Sequence, residues 1–474
     1  MNSFRNSSAY KKESKRGFLS LKAKAKAKAK AKAKEKVRNT FYITDMNKTL
    51  EKVAAMSMVA AAMVATSCST QKKAASENTN VSDAVVAYPD EAHDMDESYL
   101  ILDDTQHAQV QKNNAFALKL FTETANMQST VISPLSVTYL MAMLANGADG
   151  ETRQQIMSTI GANDADINAM NALYHSIMEK QSRLDKATDI NVANYIAVNK
   201  NIKLNDAFTK AMKELYLSGV ESLDFASPKT TKTINTWCNK QTKGMIPSII
   251  DNTDPNATAY LMNAIFFNGT WAKTFDKTMT KQERFQGYTR NIQKVQMMHQ
   301  NDKFFYTTTP AYAAVDLPYG NGAYSMTVLL PHNGHSIDEI MKDLTAEKLL
   351  QTDQNMTEHI VDLKLPRFSI EQETSLNSII AKLGAPSIFD ASKANFSHMA
   401  AAPMHISNML QKAKIEVNEK GTKAAAVTAA IMTMSLAPEE PQHVEFHATR
   451  PFVYIIKERA TGAIFFIGQF TGAE

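Results

Sequence analysis

Apolar residues gather near the C-terminus in two short runs, Pro451-Phe452-Val453-Tyr454-Ile455-Ile456 and Ala463-Ile464-Phe465-Phe466-Ile467-Gly468, split by the more polar Lys457 to Gly462. Two runs of strand length around a short break predict a buried β-hairpin. Upstream, Ile132-Ser133-Pro134-Leu135-Ser136-Val137 followed by Leu140 to Gly147 predicts a strand running into a helix. Leu261 to Trp271, Leu317 to Gly320 with Tyr324 to Pro331, and Leu365 to Ile370 predict buried strands. The stretch His443-Val444-Glu445-Phe446-His447 alternates, as a strand does when it turns Val444 and Phe446 inward and both histidines and Glu445 to water.

One segment, Glu419 to Ala430 (EKGTKAAAVTAA), is almost stripped of bulk. Read as a strand with period two, it puts Thr422, Ala424, Ala426, Thr428 and Ala430 on one face, all small, and Lys423, Ala425, Val427, Ala429 and Ile431 on the other. Nothing on the first face resists burial. Gly421 supplies a pivot in the backbone. The competing reading is an alanine helix over Lys423 to Ala430, since alanine is the best helix former. The downstream residues favour the strand: Ala437-Pro438-Glu439-Glu440-Pro441 reads as an exposed connection rather than a continuing helix.

The order Glu-x-Gly-Thr-x-Ala-Ala-Ala, exposed loop, Pro-Phe, final hydrophobic hairpin resembles the serpin family. The fragments around Ser133, Asn263 with Trp271, Leu317-Pro318-Tyr319-Gly320, and Leu365-Pro366-Arg367-Phe368 with Leu383-Gly384 fall in family order as well, so the resemblance covers residues 107–474. It implies an α+β fold: a large central, mostly antiparallel β-sheet, further sheets, surrounding helices and an exposed reactive-centre loop. It also implies suicide inhibition of a protease. The loop is cut as a substrate and its hinge (Glu419, Gly421, Thr422, Ala424, Ala425, Ala426, Thr428) inserts into the sheet before the acyl-enzyme can hydrolyse. Some 15 residues of strand would carry the protease roughly 50 Å, and loss of active-site register then stops deacylation. By the same resemblance Ser133, Ser136, Asn263, Trp271 and Gln411 belong to the region where the sheet opens. Gln411 stands where inhibitory relatives usually hold a His; it can still hydrogen-bond Asn263 or Ser136. The scissile bond is read as Met434–Ser435, with Ser435–Leu436 as the alternative. No Lys or Arg lies between Ala424 and Arg450, which points away from trypsin-like targets and toward elastase-, chymotrypsin- or subtilisin-like ones, with papain-like proteases further off. A non-inhibitory binding or chaperone-like protein of the same fold is the runner-up.

Charge changes the picture mainly at the N-terminus. Residues 1–52 hold 16 Lys and Arg against 4 Asp and Glu, which is +12 in a chain of net +4, so residues 53–474 hold −8. The basic character belongs to the tail and argues against nucleic-acid binding by the folded part, and Ala162 to Lys180 offers no basic cluster for a polyanion. Lys22 to Lys34 alternates Lys with Ala, which builds no core. Met46 to Lys52, the apolar Val53 to Val64 and Ala65-Thr66-Ser67 before Cys68 resemble a bacterial lipoprotein signal; a secretory signal with an incidental Cys is the alternative. The expected organisation is a basic extension over 1–45 upstream of a start at Met46, a signal over 46–67, a polar tether over 68–106 lipidated on Cys68, and the domain over 107–474. An extracytoplasmic, membrane-anchored monomer, in the periplasm or at the cell surface, is the expectation from that organisation. Cys68 and Cys238 are the only cysteines, and Cys238 beside Trp237 reads as a small core residue.

Catalysis by the chain itself finds no support. His443 and His447 lack the HExxH placement of Glu and lie on a strand pattern. Ser69-Thr70-Gln71-Lys72 fits S-x-x-K but lies in the tether, where no scaffold would lower the lysine pKa. No metal and no cofactor are expected.

Overall fold

The computed structural model describes residues 100–421 and 441–472. Chain order begins with helix α1 (Asp104–Thr124), strand β1 (Thr130–Ile132), helices α2 (Pro134–Gly147), α3 (Gly150–Thr159) and α4 (Ile167–Lys180), and strand β2 (Thr188–Asn199). Next come helix α5 (Asp206–Tyr216), strand β3 (Gly219–Leu223), helix α6 (Pro228–Gln241) and strands β4 (Ala259–Gly269), β5 (Lys281–Gln286), β6 (Ile292–Thr308), β7 (Tyr312–Tyr319) and β8 (Tyr324–Pro331). The remainder is α7 (Ile337–Asp343), α8 (Ala346–Gln354), β9 (Thr357–Pro366), β10 (Phe368–Ser375), α9 (Asn377–Leu383), β11 (Asn408–Val417), β12 (His443–His447), β13 (Phe452–Glu458) and β14 (Ile464–Phe470).

The strands form two sheets. One has the order β1-β14-β13-β8-β7-β6-β9-β12 with β5 paired to β6; the other has five strands in the order β10-β11-β4-β2-β3. The C-terminal hairpin is β13 and β14, antiparallel from Phe452–Phe470 inward. The nine-stranded sheet is antiparallel except where β12 lies beside β9, and the five-stranded sheet is mixed. Its β10–β11 and β4–β2 pairs are antiparallel, but β11–β4 and β2–β3 are parallel. Strand direction depends on connections far longer than a sequence window, and here α5 carries the chain from β2 back to β3 in parallel.

The sequence of β4 shows no alternation because both its faces are covered. Leu261, Ile265 and Phe267 enter the main core, while Tyr260, Met262 and Ala264 meet a second cluster containing Ile234 and Cys238 of α6. Burial pushes the Cys238 thiol up to about 12, so it is an inert core group at neutral pH. In β11 the alternation is complete: Met409, Gln411, Ala413, Ile415 and Val417 are buried and their neighbours half-exposed. Helix α1 begins inside the stretch read as tether, because Asp103 and Gln106 form a reciprocal capping box that fixes the first turn. The predicted reactive-centre loop falls on residues 422–440, outside the described residues, as do Cys68 and all of residues 1–99.

Candidate functional site

Strands β11 and β4 are adjacent and parallel, in register from Asn408–Tyr260 to Lys414–Phe266. Their mutual ladder stops there, but both strands continue. Ile415 to Val417 remain paired with Ile370 to Phe368 of β10, and Phe267 to Gly269 with Ile190 to Thr188 of β2. The sheet therefore forks at this end, with each prong held from its outer side. Parallel neighbours can admit a new strand antiparallel to both, and the fork is where such a strand would start.

A tight turn sits over the fork. Asn418 N–H donates to Gly421 O at 2.9 Å and Gly421 N–H to Asn418 O at 3.0 Å, closing a two-residue hairpin loop of Glu419 and Lys420. Gly421 has φ +122°, and a Cβ there would lie 2.2 Å from Gly269 O and 2.6 Å from Trp271 N; only glycine fits. Phe275 N–H donates to Glu419 O at 2.8 Å and Trp271 N–H to Lys420 O at 3.0 Å. The Trp271 indole N–H donates to Asn418 O at 2.9 Å, with its ring stacked on Tyr319 at 4.3 Å between centroids. The Glu419 carboxylate is buried, accepts from Thr280 Oγ1 at 2.9 Å and lies 3.6 Å from the Arg367 guanidinium. These contacts hold the turn, and Gly421 is bridged antiparallel both to Asn418 and to Thr270.

Midway down the same pair of strands a buried polar bridge crosses between them. Gln411 Nε2 donates to Asn263 Oδ1 at 3.1 Å and to Ser133 O at 2.9 Å, and Gln411 Oε1 accepts from Ser133 N–H at 2.7 Å. Asn263 Nδ2 in turn donates to Asn194 Oδ1 at 2.9 Å, tying β11, β4 and β2 to the start of α2. Every amide in this row is buried, so its bonds carry more weight than at the surface. The partner of Gln411 besides Asn263 is the Ser133 backbone and not Ser136. The Ser133 hydroxyl, which caps α2, donates to Ser136 Oγ at 3.0 Å, so the two serines are committed to each other.

The structure thus brings Ser133, Ser136, Asn263 and Gln411 into one cluster, and Trp271, Glu419 and Gly421 into a second at the fork. Thr422, Ala424, Ala425, Ala426, Thr428, Met434, Ser435 and Leu436 lie outside the described residues. Thr280, Asn418, Phe275 and Asn194 were not singled out in the sequence. Nothing local distinguishes a threonine that will reach across the chain to Glu419. Arg367 was visible only as part of the Leu-Pro-Arg-Phe fragment, without a role. Among the described residues no group of His, Cys, Asp and Glu is arranged to hold a metal ion.

Comparison with known proteins agrees with this geometry. The chain is 33% identical to rat (Rattus norvegicus) leukocyte elastase inhibitor A over 75% of this chain and 97% of that protein, and 32% identical to human (Homo sapiens) serpin B3 over 76% and 98%. Its structure superposes on the thermophilic serpin tengpin in the native state with a TM-score of 0.71 at 29% identity, covering 79% of this chain and 96% of that one. A family profile described as Serpin (serine protease inhibitor) matches residues 111–472. The chain belongs to the serpin family, described as serine protease inhibitors, and the relatives it matches at 30% identity or more include named inhibitors rather than enzymes.

Proposed function

We propose that this serpin traps a serine protease as a covalent acyl-enzyme by inserting its cut loop between β11 and β4. The observation that carries the reading is the forked parallel pair, with the Asn418–Gly421 hairpin over the fork. Extending the Asn418–Gly421 pairing one step at a time sets Val417 against Thr422, Ile415 against Ala424, Ala413 against Ala426, Gln411 against Thr428 and Met409 against Ala430. Residues directly opposite in an antiparallel pair share a face, and these β11 residues are the buried ones. The small face of the hinge would therefore be the face that enters the core, while Lys423 would come opposite Glu416 on the outer side. In passing, the new strand would part Gln411 from Asn263 and bring the Thr428 hydroxyl to the same level.

The preferred cut is Met434–Ser435, with Ser435–Leu436 as the alternative, and the target class is elastase-, chymotrypsin- or subtilisin-like. Relatives named leukocyte elastase inhibitor support the first of these. The same fold is also seen in a thyroxine-binding globulin complexed with thyroxine, at 25% identity, so trapping has to be measured. Incubation with elastase or chymotrypsin is expected to yield a complex that survives boiling in SDS and a released peptide beginning at Ser435 or Leu436. Cleavage by every protease tried, with no such complex, would favour a non-inhibitory binding role.

Cys68, we further propose, is lipidated and tethers a monomeric inhibitor outside the cytoplasm. Expressed from Met46 in a lipoprotein-competent bacterium, the protein should partition into detergent and the Cys68→Ala form should not. Equal partitioning would defeat the anchor.

A further inference from the structure

We infer that the outward face of the β5–β6 hairpin, centred on Arg284, Ile292 and Lys294, docks on the surface of an anionic lipid bilayer. The two strands are antiparallel and in register from Lys281–Met297 to Gln286–Ile292. Alternation along them separates two faces. Phe285 and Val295 are buried, and the Phe285 ring packs on Phe470 at 5.1 Å between centroids. Gln282, Arg284 and Gln286 of β5 and Ile292, Lys294 and Gln296 of β6 are all exposed on the other side.

Several features of that face work against the protein standing alone in water. Arg284 lies directly opposite Lys294, and like charges so placed oppose strand pairing. Neither makes an ion pair among the described residues. The two nearby acids are engaged elsewhere: Glu283 with Lys364 at 3.0 Å, and Asp276 as acceptor from Thr278 N–H at 2.8 Å. Ile292, beside them, is 61% exposed. A third cation, Arg290, closes the turn with φ +65°, a left-handed conformation that favours glycine or asparagine. Arg290 N–H donates to Gly287 O at 2.8 Å and Gly287 N–H to Asn291 O at 2.8 Å, while the Tyr288 hydroxyl donates to the Asp338 carboxylate. The turn is thus fixed to the body of the protein, with an exposed guanidinium that has no acidic partner among the described residues.

Charge indicates what the face would meet. Residues 276–296 hold five Lys and Arg against two acids, in a chain whose residues 53–474 hold −8. A negative surface therefore attracts this side of a domain that it otherwise repels. The composition suits a bilayer better than a protein. Protein interfaces centre on aromatic and other apolar side chains in a core depleted of charge; the six side chains here are two cations and three glutamines around one isoleucine. At a lipid interface, phosphates take the cations while the edge of the acyl region takes the isoleucine. Nearness to a bilayer rests on the Cys68 anchor proposed above: the 32 residues from Ser69 to Leu100 extend at most about 110 Å, so an anchored domain stays within reach. The chemistry of the face does not depend on that anchor.

The test uses the full chain with Cys68→Ala, so that no acyl chain is present, and with Ile292→Cys carrying a polarity-sensitive fluorophore; Cys238 is fully buried and stays unlabelled. Vesicles of phosphatidylglycerol mixed with phosphatidylcholine should shift the emission to the blue, and phosphatidylcholine alone should not. The same label on Asn256→Cys, exposed near Asp251 and Asp254, should report water throughout. This local readout is needed because the basic residues 1–52 can hold the chain on such vesicles by themselves. Adding Arg284→Gln and Lys294→Gln should remove most of the shift, since two cations at an anionic surface change the docking equilibrium about thirtyfold. The melting temperature of that variant should hold or rise with the like-charge pair gone. Sedimentation with the vesicles without a shift at position 292, or a shift that survives the double substitution, overturns the inference. A fall in melting temperature also overturns it, by giving the two cations to the sheet. An equal shift with soluble poly-glutamate in place of vesicles would assign the face to an acidic protein instead. Lipidation of Cys68 is judged separately by detergent partitioning, so the anchor and the docking face can fail independently.

Discussion

Gln411 crosses the β11–β4 boundary at which the proposed insertion would open the sheet. Its amide makes three hydrogen bonds in a fully buried setting, two to the Ser133 backbone and one to Asn263 across the β11–β4 boundary. Gln411→Ala removes all three and strands Asn263 Oδ1 and the Ser133 groups away from water, which costs about 2 to 4 kcal/mol in the uncleaved protein. The cleaved, inserted protein should lose less, because the Asn263 contact is already parted there. Thermal or urea unfolding of both forms measures the difference, and an equal loss would argue that the bond plays no part in opening. That Gln411 can bond Asn263 was legible in the sequence from the chemistry of an amide. That its other partner is the Ser133 backbone was not, because backbone partners leave no trace in residue identity.

At the scale of elements, the proposed insertion sets the hinge in a definite register against β11. The Asn418–Gly421 pair would set Thr422 on the buried side against Val417 and Lys423 on the outer side against Glu416. Thr422→Arg would place an unpaired charge in the core face, at a cost of several kcal/mol. The loop should still be cut, so the variant should turn from inhibitor to substrate, with the number of inhibitor molecules consumed per protease rising steeply. Lys423→Arg keeps its charge opposite Glu416 and should inhibit normally. Equal behaviour of the two variants, read from stoichiometry with elastase or chymotrypsin, would rule out insertion in this register.

For the whole molecule, the uncleaved fold holds a sheet whose ladder between β11 and β4 is unfinished at one end. If a new strand completes it on both sides, cleavage should stabilise the protein instead of loosening it. After limited cutting in the 422–440 region, the midpoint of thermal unfolding is expected to rise by about 10 °C or more. A midpoint that stays level or drops would mean that the loop does not insert on cleavage. On the proposed insertion the stored difference would be kinetic in character, with tethering at both ends keeping the uncut loop from entering.

Period and residue size alone were enough to mark the C-terminal hairpin, the strand-to-helix step at Ser133 and the buried β4, because each of these depends on neighbours within one element. His443 to His447 could likewise be read as a strand with a polar face carrying two histidines. What lay beyond the sequence were relations between distant segments. The parallel direction of β11 beside β4, the early end of their ladder, the meeting of Glu419 with Thr280 and Arg367, and the gathering of His299 and His447 about Asp362 join positions tens to hundreds of residues apart. Local pattern reports which side of an element is buried; only the packed sheets decide which element it is buried against, and the fork between β11 and β4 arises from that choice.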